Sequence, residues 1–305
     1  MVAAQLQPAV IAIFGPTGIG KTEIAIRVAE MLRAAGEDPV AVSVDSMQVY
    51  RELPILTGVA DAEQRSRLEH RLIGHVSVAD NYDVATHARL AHAEIDGLLN
   101  AGRRPIVVGG TGLYLRASLT ELDLLPAPNP ETRERLSIEL QQDGQETLYA
   151  RLEAMAPDIA STIDANDPRR TIRALEALEQ GVSATDRSEN KLWTEDTRVP
   201  TKLFALVMDR DELYSRVETR VDLMVAAGAE QEVRGAESLA GKTARQALGF
   251  EELLAGDVER MKTNTRRYAK RQLTWLRKLA GATEIDVTGR SGDDVAAEIV
   301  AAVTD

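Results

Sequence analysis

Residues Gly15-Pro16-Thr17-Gly18-Ile19-Gly20-Lys21-Thr22 follow the pattern G-x-x-x-x-G-K-[ST], and no other stretch of the chain limits the fold so strongly. An apolar run, Val10-Ile11-Ala12-Ile13-Phe14, precedes them and reads as a buried strand. Ile24, Val28, Met31 and Leu32 follow at helical spacing. A strand, a glycine-rich loop and a helix in that order aim backbone N–H groups and a helix N-terminus at one point, where anionic oxygens are favoured. The loop therefore predicts a site for a phosphate or diphosphate without naming the molecule that carries it. Lys21 would stand over the phosphates as a fixed positive charge. Thr22 would offer its hydroxyl to magnesium, and Thr17 a further hydroxyl within the loop.

The next elements repeat the alternation. Pro39–Val44 reads as a second strand ending at Asp45, and Pro105–Val108 as a third ending in Gly109-Gly110-Thr111-Gly112, with a helix near Ala85–Leu99 between them. Strand and helix in alternation imply an α/β fold: a P-loop NTPase-like parallel sheet flanked by helices. Ligands of such sheets bind beyond the carboxyl ends of the strands, so the Gly15 loop, Asp45 and the Gly109–Gly112 turn are expected to share one crevice. Three prolines in Leu125-Pro126-Ala127-Pro128-Asn129-Pro130 mark a break. From Glu131 to about Glu179 the pattern is helical throughout, which predicts an all-helical insertion. Lys202–Met208 then reads as another core strand, followed by a helix from Asp211 with Leu213, Val217, Val221 and Met224 inward. The expected boundaries are 1–125 for the first part of the core, 126–198 for the insertion and 199–305 for the rest of the core.

Asp45 ends a strand in the expected crevice and carries two readings. It either holds magnesium, as a Walker B-type carboxylate does, or takes a proton from an attacking nucleophile. Gly109–Gly112 is either a tight turn needing positive φ or a place where missing side chains let a substrate approach, with Thr111 supplying a hydroxyl. His70, His75, His87 and His92 show no metal-ligand spacing and read as structural. The absence of cysteine excludes disulfides and thiolate metal sites, and no G-x-S-x-G elbow supports a nucleophilic hydrolase. No apolar run is long enough to span a membrane, and the first residues lack signal-peptide character, so a cytoplasmic protein is expected. The net charge of −12 argues against indiscriminate nucleic-acid binding. Against it stands a window without acids that holds Arg260, Lys262, Arg266, Arg267, Lys270, Arg271, Arg277 and Lys278. Composition alone favours a solvated helix face there, with Tyr268, Gln272, Trp275 and Leu279 packed on the other side.

Taken together, the motifs resemble the tRNA dimethylallyltransferases, also called tRNA isopentenyltransferases. The resemblance is carried by Gly15–Thr22, Ser43–Arg51, Val107–Leu115, Asn166–Arg170 and Thr265–Trp275, in that order and at that spacing. It implies transfer of a dimethylallyl group from dimethylallyl diphosphate to the exocyclic amine of the adenosine 3′ of a tRNA anticodon, position 37. Under this resemblance Gly15, Pro16, Thr17, Gly18, Ile19, Gly20, Lys21 and Thr22 hold the donor diphosphate with magnesium at Thr22. Asp45 then engages the adenosine amine as base, Thr111 lies near the reacting centre, and Arg220 is a diphosphate-binding arginine, with Arg216 one turn away. Asp45, Ser46, Met47 and Gln48 resemble a tRNA-contacting segment, as do Asn166, Asp167, Pro168, Arg169 and Arg170, while Arg133 and Thr111 match further tRNA contacts. The basic helix with Arg266, Arg267 and Lys270 becomes a backbone contact. Partners are then tRNA and the donor, with no membrane, and the protein is expected to act as a monomer.

The chain departs from the family pattern at three places. Gly18-Ile19 stands where Ala-Ser is usual, Thr57–Asp61 lacks a lysine, and His70-Arg71-Leu72 replaces His-His-Leu. The alternatives are a P-loop small-molecule kinase, which would put ATP in the loop, an adenylate isopentenyltransferase acting on free nucleotides, and a catalytically dead tRNA-binding protein. Intact Lys21, Thr22 and Asp45 count against the last.

Overall fold

Every residue of strand β1 (Val10–Phe14) is fully buried, as its unbroken apolar run requires of a strand covered on both faces. The structure is a computed structural model that describes residues 10–125, 129–181 and 191–304. The N-terminal segment 1–9, the prolines at 126 and 128, and most of the polar stretch after Gly181 lie outside the described residues. β1 is joined in one six-stranded sheet by β2 (Pro39–Ser43), β3 (His70–Arg71), β4 (Arg104–Gly109), β5 (Thr201–Val207) and β6 (Ala282–Asp286). The order is β3-β2-β4-β1-β5-β6, and every pairing is parallel.

Helices cover both faces, and alternate residues of β1 divide between them. Ile11 and Ile13 pack with Ile24, Ala25, Val28 and Leu32 of α1 (Lys21–Ala34). Val10, Ala12 and Phe14 pack with Ile95 and Leu98 of α2 (Val84–Asn100) and with Leu115 and Leu119 of α3 (Gly112–Leu119). This is the P-loop-like α/β architecture with helices on both sides of a parallel sheet.

The register sets the site. Phe14 lies opposite Gly109, and Ser43 opposite Val108. Val44 N donates to Val108 O, which extends the β2–β4 ladder by one residue. Three adjacent strands therefore end almost level, and the chain segments leaving them start side by side.

The described residues fall into two compact units, 10–121 with 191–304, and 122–181. The second is all helical. It contains α4 (Pro130–Met155), broken at Gly144 where φ is +83°, a single turn at Pro157–Ala160, and α5 (Pro168–Glu179). Leu136, Leu148, Leu152, Ile172 and Leu175 form its own core. Residues 191–198 are part of the sheet unit: Arg198 N donates to Leu119 O at 2.7 Å, and the Trp193 ring lies 4.7 Å from Trp275.

After β5 the chain forms α6 (Arg210–Ala226), α7 (Ala229–Ala236), α8 (Val258–Leu276) and, after β6, α9 (Gly292–Thr304). The basic helix α8 starts two residues before Arg260, the first of the basic window, because the Asp257 side chain caps it by accepting from Arg260 N. Strand β6 carries little apolar signal, since only Ile285 is buried.

Candidate active site

The phosphate loop sits between β1 and α1, in the shape its glycines allow. Gly18 and Gly20 have φ of +85° and +96°, a region most side chains avoid. A Cβ on Gly18 would come within 3.0 Å of Val217 on α6, so the loop is pressed against that helix. Ile19, the bulky departure from the family pattern, is 1% exposed and belongs to the hydrophobic core under the loop. Lys21 Nζ donates to Gly15 O and Pro16 O at 2.9 and 3.0 Å. Thr22 is half-buried in the first turn of α1, and its hydroxyl has no hydrogen bond among the described residues.

Asp45 follows β2. One carboxylate oxygen, Oδ1, accepts from Met47 N at 2.8 Å and from Gln48 N at 3.3 Å, which fixes the turn. Oδ2 is left for other work. The charge of Asp45 is felt at Lys21, Arg220 and Tyr268, so these four groups share one electrostatic neighbourhood. Burial of the ammonium lowers the Lys21 pKa to about 8, with Asp45 opposing the shift and Arg220 adding to it. Burial likewise lowers Arg220, with Asp45 opposing. The Tyr268 phenol is pushed up to about 12 by burial, with Asp45 adding to the shift, so it stays protonated.

Arg220 projects from α6 over the segment after Pro54–Thr57. A Cβ on Gly58 would fall 1.8 Å from an Arg220 terminal nitrogen, so only glycine lets the guanidinium lie there. Gln48 supports this contact from below. Its Nε2 donates to Gly58 O at 3.1 Å, and Ser43 Oγ donates to its Oε1 at 3.1 Å. The departure at Thr57–Asp61 is therefore the surface against which Arg220 packs. Arg216, one turn earlier and exposed, is instead paired with Glu212 at 2.9 Å. Arg220 also lines a cavity of about 410 Å³ with Ile55, Gly58 and Met224.

The Gly109–Gly112 turn needs glycine for closeness, not for positive φ, which none of its glycines shows. A Cβ would meet Val44 at 2.7 Å from Gly109, Gln272 Nε2 at 2.3 Å from Gly110, and the Trp275 ring at 2.3 Å from Gly112. What approaches Gly110 and Gly112 is the protein's own α8, while Gly109 is approached by Val44 after β2. Thr111 Oγ1 lies 3.3 Å from Tyr268 Oη. The stripe Tyr268, Gln272 and Trp275 thus brackets the turn, and the phenol and the amide are hydrogen-bonded to site loops. Periodicity identified this face as inward but not the hydrogen bonds it makes. The signal available was an amide and a phenol placed four residues apart on a buried helix face.

The outer side of α8 is divided. Lys262 pairs with Asp222 at 2.7 Å, and Arg266 pairs with Glu218; both acids are on α6. Arg267, Lys270 and Arg271 are exposed. The Arg271 guanidinium lies 5.5 Å from the Tyr268 ring centroid.

In the helical unit, Asp167 caps α5 by accepting from Arg170 N at 3.0 Å, Pro168 fills the first helical position, and Asn166, Arg169 and Arg170 are exposed. Arg133 makes a two-pronged ion pair, at 2.7 and 2.9 Å, with the fully buried Glu176, which Arg173 also contacts. A buried carboxylate needs such partners, so Arg133 has a structural task whatever else it touches.

Of the histidines, His87 is fully buried with Nδ1 2.9 Å from Tyr82 Oη, and burial holds its pKa down to about 4. Among the described residues no group of three or more His, Asp or Glu is placed to hold a metal ion. No helix of the described residues is long and apolar enough to cross a membrane.

Residues 48–279 match the profile of a protein family described as IPP transferase. The chain is 35% identical over 306 residues to a tRNA dimethylallyltransferase of Natranaerobius thermophilus, covering 95% of this chain and 90% of that one. Among solved structures it is similar to the full-length tRNA isopentenylpyrophosphate transferase of Bacillus halodurans, with 31% identity, 97% and 95% coverage and a TM-score of 0.69. It is also similar to a eukaryotic dimethylallyltransferase acting on tRNA, with 26% identity, coverage of 92% of this chain and 74% of that one, and a TM-score of 0.73.

Proposed function

Because the chain belongs to the IPP transferase family of tRNA dimethylallyltransferases, we propose that its sheet-end crevice moves a dimethylallyl group from dimethylallyl diphosphate to the exocyclic amine of adenosine 37 in tRNA. The protein is an enzyme of the prenyltransferase class, transferring the group to tRNA near the anticodon. The observation that carries the residue assignments is the convergence of Lys21 and Arg220, from two different elements, around Asp45 at the level ends of β1, β2 and β4.

The chemistry follows from that cluster. The donor diphosphate lies along Gly15–Thr22, with Lys21 and Arg220 drawing negative charge toward themselves. As the allylic C–O bond breaks, charge grows on the leaving diphosphate, and fixed cations in a buried site stabilise that growth. The amine nitrogen forms the new C–N bond to the same carbon. Asp45 Oδ2 orients the amine and accepts its proton, which keeps the balance of charge within the site. Oδ1 is already held by two backbone N–H groups, so the carboxylate is aimed before substrate arrives. Thr111 and Tyr268 border the same space with hydroxyl groups.

Family membership implies a divalent metal ion, and the residues fit magnesium. The Thr22 hydroxyl is uncommitted at the loop, and a magnesium ion that keeps phosphate oxygens and water as its main ligands needs no carboxylate cage. When bound it supplies further neutralisation of the diphosphate.

The base to be modified is reached only when it is out of the stack, so a looped, single-stranded acceptor suits the crevice. Exposed Arg267, Lys270 and Arg271 on α8, and Asn166, Arg169 and Arg170 in the helical unit, are the proposed contacts to the tRNA, together with Asp45–Gln48, Thr111 and Arg133.

The test offers labelled dimethylallyl diphosphate and magnesium with unmodified tRNA, with AMP, and with ATP as a rival donor. Label transferred to tRNA alone is the expected result. Transfer to AMP, or phosphoryl transfer from ATP, would overturn the reading.

A further inference from the structure

Gln272 lies on the inner face of α8 and is 4% exposed. Its Oε1 accepts from Thr17 N at 2.8 Å, and its Nε2 donates to Gly110 O at 2.7 Å. The first bond reaches the phosphate loop after β1, and the second reaches the turn after β4. An amide presents one acceptor and one donor side by side, so both bonds come from a single planar group. Turning that group over would set N–H against N–H and oxygen against oxygen, so the pair also fixes its orientation. The bond to Thr17 acts on a loop with two positive-φ glycines, which is costly to order. The approach to Gly110 is so close that a Cβ there would sit 2.3 Å from Gln272 Nε2, 2.9 Å from Gly15 O and 3.3 Å from Lys21 Nζ. Loop, turn, lysine and amide are thus one packed unit.

The geometry points to Gln272 as a positioning residue for the transfer reaction: its amide locks the Thr17 end of the phosphate loop against the Gly110 turn, so that the donor diphosphate meets a loop already in its binding shape. The inference rests on the assignment of Gly15–Thr22 to the donor. It goes beyond that assignment because Gln272 lies more than two hundred residues further along the chain and touches the donor only through the backbone it holds. A preorganised loop binds more tightly because less ordering remains to be done on binding.

Two variants test it against native enzyme, with donor KM, kcat, tRNA affinity and melting temperature measured for each. Gln272→Leu removes both bonds at similar volume, and is expected to raise donor KM about tenfold while kcat and tRNA affinity change less than about twofold. Gln272→Glu keeps the acceptor for Thr17 N, but its second oxygen faces Gly110 O and serves only when protonated. The nearby Lys21 ammonium favours the ionised carboxyl, so the oxygen facing Gly110 O carries no proton and donor KM is expected to rise at least as far as in Gln272→Leu. A donor KM unchanged or lowered in Gln272→Leu would overturn the proposal; a lowered value would mean that the amide merely occupies the anion position. An unchanged donor KM in Gln272→Glu would also overturn it, and that variant decides alone if Gln272→Leu does not fold. Lys21→Ala is the control. If it too leaves donor KM unchanged, the donor assignment fails; if it raises KM while the Gln272 variants do not, only the positioning role fails.

Discussion

Asp45 commits one oxygen to the turn after β2 and, in the proposed mechanism, leaves the other for the amine, which determines how it should be tested. Asp45→Asn keeps an oxygen for Met47 N and Gln48 N but cannot accept a proton. Transfer is expected to fall by about 10²- to 10⁴-fold with tRNA affinity retained, as single-turnover rates and a filter-binding titration will report. Lys21 brings a pH dependence whose sign is fixed by its charge. In the free enzyme it is protonated below about 8 and neutral above. Donor KM should therefore rise as pH climbs through that value, and Lys21→Arg should flatten the rise, because a guanidinium keeps its proton throughout. Gly58→Ala forces a side chain into left-handed backbone and into the Arg220 guanidinium. The expected cost is about 1 kcal/mol of stability or more, measured by chemical denaturation, with a weaker grip on the donor. The phosphate loop, Lys21 and Asp45 were legible from motif and strand position. The contacts by which Gln48 and Gly58 support Arg220 were not, because they join segments whose proximity only the folded chain creates.

At the scale of elements, α8 has two sides with different work. Its inner residues hold site loops, and part of its outer charge is already matched by Glu218 and Asp222 on α6. Replacing Arg267, Lys270 and Arg271 together by Ala is expected to weaken tRNA binding and to flatten the slope of log K against log salt by about 2. Replacing Arg266 should act chiefly on stability, through its partner Glu218. A salt titration of each variant separates the two outcomes. Periodicity read α8 as amphipathic and located its apolar side. It did not reveal that the polar residues on that side were spaced to meet Thr17, Gly110 and Thr111, since a period reports direction and not reach. Two strands escaped for a simpler reason: β3 has two residues and sits at the sheet edge, and β6 is mostly exposed, so neither writes an apolar run.

At the scale of the molecule, the α/β core followed from alternating strand and helix signals, and the helical unit from the break near Pro130 and the absence of strand patterns after it. The crossing order of the sheet was not written in any local pattern, because parallel neighbours are chosen by packing across long connections. The backbone bond between Arg198 and Leu119, with Arg116 reaching back to Lys191 O at 2.7 Å, brings both stems of the helical excursion to the same spot. The excursion is thus a loop-out in the topological sense: it departs and returns through one doorway, and the sheet can close without it. Bridging Glu121 to Lys191 with a short glycine–serine linker should yield a protein that still melts cooperatively and binds inorganic pyrophosphate, yet leaves tRNA untouched. A calorimetric scan and a pyrophosphate titration would check the first two outcomes, and the labelled-donor assay the third. If the proposed contacts hold, the helical piece is a replaceable cassette, able to change with its RNA while the residues proposed for the chemistry stay the same.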